Sequence, residues 1–306
     1  SNNVQITGTT AAVIPGETIS ITGENLDFPD VQATIGTRQL TLESVTWGEI
    51  VARVPRYATT DKVSVTSSLG SDTSDDDVVV QRVAYVNSTG EFATSTIDLL
   101  AQHAADFGFS GVASIPVEDL DTRDMSVFDI IIVANDTGDA PIRWAGKPAR
   151  YSAITTSGAS VLAVGEGGAS FLRLALSAFT SVTTTETSLT SYYTSAPTAS
   201  VFTTPHSVTS GTLPQSVPFC PNPERTIAFV LTSKPNGVNF YAETGPLSSS
   251  RVLFDFSTVV RYFYWGYAAD PAVLSKEGMD CLGNVMNLLY TDRPVIPAQV
   301  FSRQRP

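Results

Sequence analysis

The stretch Val161-Leu162-Ala163-Val164-Gly165-Glu166-Gly167-Gly168-Ala169-Ser170 decides how most of this chain folds. Four consecutive apolar residues run straight into a glycine-rich turn, and the turn opens onto a helical pattern predicted over 169–179. A strand with no polar alternation is buried on both faces, which is the habit of a parallel sheet. Outward from this unit the pattern repeats. Phe128-Asp129-Ile130-Ile131-Ile132-Val133 is a run of β-branched residues, and Arg82–Val86 and Gly111–Ile115 read as further strands. Between them, residues 95–107 place Ile97, Leu99, Leu100, Ala104 and Phe107 at helical spacing. This alternation predicts an α/β, doubly wound (flavodoxin-like) sheet over residues 83–293, whose ligands bind outside the carboxyl ends of the strands.

Residues 1–82 carry no helical period. Short alternating segments fall between turn residues, the pattern of an all-β sandwich. Strands are expected at 4–6, 18–23, 32–35, 38–45, 50–53, 62–67 and 78–83. The acidic patch Asp72, Asp75, Asp76 and Asp77 is expected at a hairpin tip, solvated or holding a calcium ion. The run Ile14-Pro15-Gly16-Glu17-Thr18-Ile19-Ser20-Ile21-Thr22-Gly23-Glu24-Asn25-Leu26 resembles the opening hairpin of an IPT/TIG immunoglobulin-like domain. Val31–Gly36 and Ile50-Val51-Ala52-Arg53-Val54-Pro55 are similar to two later strands of that family. The resemblance implies a spacer, binding or interface module without catalytic residues.

The turn after Val164 resembles the G-x-C-x-G elbow of the class I glutamine amidotransferase-like superfamily, with Gly167 where the cysteine nucleophile belongs. Thr203-Thr204-Pro205-His206 through Leu213-Pro214 is similar to a segment of its ThuA-like members, and Arg251–Phe256 to the strand before their last helix, here expected at 271–289. No His-x-Glu pair follows near the C-terminus. The resemblance therefore implies the superfamily's fold in a degenerate form, with the elbow tip at Gly167 and His206 nearby.

Candidate chemistry is sparse. There are two histidines: His103, inside a predicted helix, and His206, in a loop. His206 with Glu166 or Asp136 would make an acid–base pair, with Ser170 and Ser88 as the nearest hydroxyls. Asp136, Asp139, Glu166 and His206 would suit a divalent cation, although on separate loops. Gly165, Gly167 and Gly168 would equally cradle a phosphate at a helix N-terminus or only shape a tight turn. In Tyr262-Phe263-Tyr264-Trp265-Gly266-Tyr267 the rings belong to the core or, for Tyr264 and Trp265, to a cleft able to hold a sugar.

The 306 residues carry 18 basic and 30 acidic side chains, a formal net charge of −12, so no basic surface exists to neutralise nucleic-acid phosphates. No apolar run approaches the roughly 20 residues of a membrane span. Thirty-three Ser and 37 Thr against four Lys predict an exported chain, secreted or at the cell surface, and the start at Ser1-Asn2-Asn3 suits a processed chain and a recombinantly expressed one equally. In that setting Cys220 and Cys281 are expected to form a disulfide closing a loop of about 60 residues. Asn87-Ser88-Thr89 and Asn135-Asp136-Thr137 match the glycosylation triplet, weakly informative in so hydroxyl-rich a chain. The stretch 177–212 reads as linker, glycosylated loop or exposed β-structure, with a strand at Val201-Phe202-Thr203. Residues 294–306 read as an extended tail suited to docking on a neighbour.

The expectation is a non-catalytic surface or assembly protein. Its partners would be other copies or chains, in a homo-oligomer or surface assembly, or a surface glycan, and no cofactor is implied. A secreted amide or glycoside hydrolase built on His206, and a carbohydrate-binding surface protein, are the alternatives.

Overall fold

The structure, a computed structural model, describes residues 3–90, 92–107, 109–138, 144–209 and 215–291. The expected tail at 294–306, Asp139 and residues 210–214 lie outside the described residues.

Nine strands build the first unit: β1 (Gln5–Thr9), β2 (Ala12–Val13), β3 (Thr18–Glu24), β4 (Gln32–Ile35), β5 (Arg38–Gln39), β6 (Thr41–Val45), β7 (Glu49–Arg53), β8 (Asp61–Ser67) and β9 (Gly70–Val80). They form a four-stranded sheet, β1-β3-β7-β6, and a five-stranded sheet, β2-β9-β8-β4-β5. The alternation in the sequence does the work. Ile19 and Ile21 of β3 and Ile50 and Ala52 of β7 share one core with Ala33, Ile35, Val63 and Val65 of β4 and β8, each at most 1% exposed. The acidic patch is not at a hairpin tip. Asp72, Asp75, Asp76 and Asp77 lie along β9, because the turn comes earlier, at Ser68-Leu69. Asp72 Oδ2 accepts the Ile6 amide at 2.7 Å and so ties β9 to β1 of the other sheet. Among the described residues no group of three or more acidic, His or Cys side chains is placed to hold a metal ion, at this patch or elsewhere.

Only Gln81 and Arg82 separate β9 from β10 (Val83–Asn87), the first strand of the second unit. That junction is hydrogen-bonded on both sides. Gln81 donates its amide to Val13 O and its side chain to Val112 O, at 2.8 and 2.9 Å. Arg82 grips both oxygens of Asp129 at 2.7 and 2.8 Å and reaches back to Arg56 O at 2.7 Å. Arg123 and Glu17 add an ion pair at 2.9 Å.

The second unit continues with α1 (Ala93–Gln102), α2 (Ala104–Phe107), β11 (Val112–Pro116), β12 (Ile130–Val133), α3 (Pro148–Thr155), β13 (Ser160–Val164) and α4 (Gly165–Ala175). It ends with β14 (Thr184–Leu189), β15 (Ser191–Thr194), α5 (Ser200–Thr203), β16 (Gln215–Pro218), β17 (Glu224–Val230), β18 (Val238–Glu243), β19 (Ser250–Ser257), β20 (Arg261–Trp265) and α6 (Lys276–Thr291). Five strands, in the order β11-β10-β12-β13-β20, are parallel. Alternate residues of β10 serve two cores. Val83 and Tyr85 face α1, α2 and α6, whereas Ala84 and Val86 face α3 and α4. This is why β10 and β12 are apolar throughout.

The sheet does not stop there. Beyond β20 it continues antiparallel through β19 to β18, β15 and β16, with β17 and β14 attached to β19, giving eleven strands. The hydroxyl-rich stretch thus supplies two strands, β14 and β15, with half-exposed Thr and Ser on an outlying part of the sheet. Val201-Phe202-Thr203 is helical, not a strand, because Val201 and Phe202 both turn inward, as one helix face does and neighbouring strand residues cannot. The helix expected over 95–107 breaks at His103, and that expected over 169–179 starts earlier, at Gly165, and ends at Ala175.

Candidate functional site at the carboxyl ends of the parallel strands

β13 delivers the chain to Gly165, whose φ of +54° makes it the left-handed residue of the turn. Gly167, the expected tip, instead lies inside the first turn of α4 and is buried. A Cβ on Gly167 would sit 2.0 Å from Ala134 O and 2.2 Å from Thr137 Oγ1, and one on Gly168 2.3 Å from the Ala163 carbonyl carbon. The turn formed by Asn135–Thr137, after β12, presses directly on this helix start. The elbow is therefore closed as well as unarmed, with no room for a nucleophile's side chain. It is not a phosphate cradle either: Gly165, Gly167 and Gly168 are buried, and the Glu166 amide is taken by Asn135 Oδ1 at 2.9 Å.

The candidate acids are separately engaged, and the base is held through its backbone. Asp136 is 2% exposed, and its Oδ2 accepts the amides of Ser88, Thr89 and Gly90 at 3.1, 2.9 and 3.0 Å and the Thr89 hydroxyl at 3.1 Å. It clasps the loop between β10 and α1. Glu166 Oε2 meets Arg225 of β17 at 2.5 Å, and Arg225 also reaches Glu186 at 3.0 Å. The two carboxylates raise the Arg225 guanidinium above its ordinary value, and Arg225 holds the Glu186 carboxyl below its own. His206 lies against α6. Its amide donates to Asn284 Oδ1 and its carbonyl accepts from Asn284 Nδ2, each at 2.8 Å. No hydrogen bond or ion pair among the described residues joins any two of His206, Glu166 and Asp136. His103 bonds Asp106 at 3.3 Å on the surface of the broken helix.

Cys220 and Cys281 are free, not bridged. Each sulfur is turned to a backbone carbonyl of a different segment, Leu189 O at 3.2 Å and Val201 O at 3.4 Å, and burial raises both thiol pKa values. The glycosylation triplets are structural. Asn87 is 7% exposed and donates to Ser114 Oγ at 2.8 Å, while Asn135 holds the start of α4. The rings of Tyr262, Phe263, Tyr264, Trp265 and Tyr267 are all buried, so they form no sugar platform on the surface. Tyr264 donates to Ile227 O at 2.8 Å within the α3/α4 core, and burial lifts its pKa far above the usual value.

Trp265 and Tyr267 point to the other face, where a small cavity of about 50 Å³ opens between sheet and helices. Tyr85, Ile132, Leu162 and Trp265 line it from four parallel strands, with Leu100 of α1 and Leu282 of α6 across from them. Beside the aromatic residues Tyr85, Trp265 and Tyr267, its lining includes Thr96 and Asn135, neither of which stands out in the sequence: Thr96 is one of 37 threonines, and Asn135 reads there as part of a glycosylation triplet.

No curated protein matches this chain. Among solved structures, a protein of unknown function and an auxiliary nutrient binding protein, both from Bacteroides thetaiotaomicron, match 26% of it each, at 15% and 17% identity and a TM-score of 0.24. The chain covers 22% and 21% of their lengths, about a fifth. A Thermoplasma acidophilum protein, provisionally assigned to GMP synthase, matches 69% of this chain and 95% of its own at 13% identity and a TM-score of 0.47. The IPT/TIG domain family matches residues 5–81, the extent of the sandwich. Residues 5–81 are an immunoglobulin-like IPT/TIG domain.

Proposed function

We propose that this is a non-catalytic, exported surface or assembly protein in which an IPT/TIG domain is held rigidly on a degenerate, flavodoxin-like α/β unit of the ThuA-like, amidotransferase-like kind. The observation that carries this reading is the closed turn after β13. Ala134 O and Thr137 Oγ1 occupy the space a nucleophile at Gly167 would need. The remaining acid–base candidates are engaged elsewhere, Asp136 with the β10–α1 loop and Glu166 with Arg225, so no proton-transfer pair is assembled. Export is supported by the hydroxyl-rich, lysine-poor composition and by the IPT/TIG domain, a module often found in cell-surface and extracellular proteins. No helix of the described residues is long and apolar enough to cross a membrane. The β6 edge ends the four-stranded sheet of the sandwich and offers backbone to a partner chain, whereas at the β1 edge the Ile6 amide is already taken by Asp72.

Turnover of amide, ester and glycoside substrates by the purified chain is expected at background. Hydrolysis that disappears in His206→Ala would replace this reading with the hydrolase. Surface labelling of intact source cells tests export, and protection of the protein until lysis would refute it.

A further inference from the structure

Sheet edges that stay unpaired are blunted by bulges, proline, charge or short length. In this chain β2 and β5 have two residues each, β1 and β6 are interrupted by bulges, and Pro116 and Pro218 end β11 and β16. β14 has none of these devices. Its residues Thr184–Leu189 pair with β17 at six successive positions without a bulge, and they include neither proline nor lysine. On its other side β14 has no strand among the described residues. Val230 donates to Thr183 O at 2.9 Å, while Ile227 donates to Gly266 O, on the far side of β17, at 2.8 Å. The antiparallel alternation therefore turns the N–H and C=O of Thr185, Thr187 and Leu189 towards β17, and those of Thr184, Glu186 and Ser188 outward.

We infer that this edge is a self-association surface, on which β14 pairs antiparallel with β14 of a second copy about a two-fold axis at Thr187. Two registers join the strands through the outward groups, pairing residues 184–188 or residues 185–189. The first centres on Glu186 and sets two carboxylates face to face, which is unfavourable. The second sets Glu186 of each copy opposite Ser188 of the other, in the row that continues through Ser188 to Arg225. Arg225 already reaches Glu186 of its own chain at 3.0 Å, so its guanidinium lies on this face of the edge. Across the short Ser188 side chain, the Arg225 Cα is two strand spacings, about 10 Å, from the Cα of the second copy's Glu186. That is within the combined reach of the two side chains. The axis repeats the pair, so each copy brings the counter-charge the other needs, and this selects the second register. Thr187 then faces its own counterpart, a favourable cross-strand pair, in a closed two-fold arrangement.

The test is sedimentation equilibrium of the full chain in about 0.15 M salt, which screens the repulsion between two copies of net charge −12. At roughly 100 μM the parent is expected to contain a species of twice 32.5 kDa. Thr187→Lys and Thr187→Asp each set like charges together on the axis and should weaken the dimer about tenfold or more, with unchanged circular dichroism. Mixed in equal amounts, these two variants should associate again. Ser188→Pro removes an outward N–H and spares the β17 ladder, so it should lower association while melting with the parent. The amides of Glu186 and Ser188 should exchange freely in dilute protein and become protected in concentrated protein. A parent that is monomeric at roughly 1 mM would overturn the inference and leave the edge to a strand of another protein. So would a Thr187→Lys protein that associates like the parent, a mixture that stays monomeric, or a dimer whose Glu186 and Ser188 amides remain unprotected. The inference deepens the assembly reading and rests on it, yet fails separately: a monomer without turnover refutes the pairing and leaves the non-catalytic reading intact.

Discussion

Restoring the cysteine that the elbow resemblance calls for should destabilise the second unit rather than arm it. In Gly167→Cys, or in the simpler Gly167→Ala, the new Cβ arrives 2.0 Å from Ala134 O and 2.2 Å from Thr137 Oγ1, well inside van der Waals contact. The first neighbour is backbone at the end of a central strand and has little freedom to retreat. Overpacking of this kind costs about 1–3 kcal/mol. Displacing Thr137 also loses its hydrogen bond to Ala134 O, 2.8 Å long and buried, worth about 0.5–1.5 kcal/mol. Together these give a loss of about 2–4 kcal/mol, which for a unit of this size lowers Tm by roughly 4–16 °C. Near-UV circular dichroism is the suitable probe. Trp144 and Trp265 are buried in the α/β unit while Trp47 of the sandwich is 57% exposed, so the signal follows the affected part of the chain. Gly245→Ala is the control, since nothing lies within 4 Å of its Cβ, and it should change stability by no more than about 0.5 kcal/mol. A Gly167→Ala protein that melts within a degree or so of the parent would refute the closed turn.

Three further outcomes follow from the same structure. With both thiols buried and their pKa values raised, the native protein at pH 8 should react with neither Cys220 nor Cys281, and the denatured, unreduced protein should titrate two thiols; none after denaturation would mean a bridge. Arg82→Ala removes the bidentate contact to Asp129 and the bond to Arg56 O at the domain junction, and should cost about 2–3 kcal/mol by calorimetry; an unchanged thermogram would mean that the junction is held elsewhere. Arg150 holds the Asp121 carboxyl below its ordinary value, so this carboxylate's stabilising contribution is complete above about pH 4 and is lost as the pH falls through the lowered folded-state value. Asp121→Asn should therefore flatten the acid limb of Tm against pH, and parallel curves for the two proteins would contradict it.

The sequence makes the parallel strands legible and the antiparallel ones obscure, for a physical reason. Ile130–Val133 is buried on both faces, so every residue reports the strand. No residue of β14 is buried, so Thr184–Leu189 looks like linker until its six-residue register with β17 is seen. The elbow lies two residues before its expected place because glycine spacing in the motif points to Gly167, whereas backbone geometry requires the left-handed residue directly after the strand, at Gly165. The candidate acids are legible as acids, but their partners come from distant segments. Arg225 is 59 positions from Glu166, so no local pattern shows that this carboxylate is paired, and Asn284, which holds the His206 backbone, is 78 positions away.

Because only two residues join the sandwich to β10, tension applied through the N-terminal domain is delivered to a strand in the interior of the parallel sheet. β10 runs in register with β11 along Val83–Asn87 and with β12 along Val83–Val86. Pulling along its axis loads both ladders in shear, so the bonds share the force, whereas an edge strand peeled sideways gives its bonds up one at a time. The Arg82 clamp on Asp129 sits at the point where the load enters and braces β10 against the segment leading into its neighbour β12. A chain tethered by its first domain is thus gripped at a strand that resists as a block, and the sandwich acts as a handle rather than a hinge.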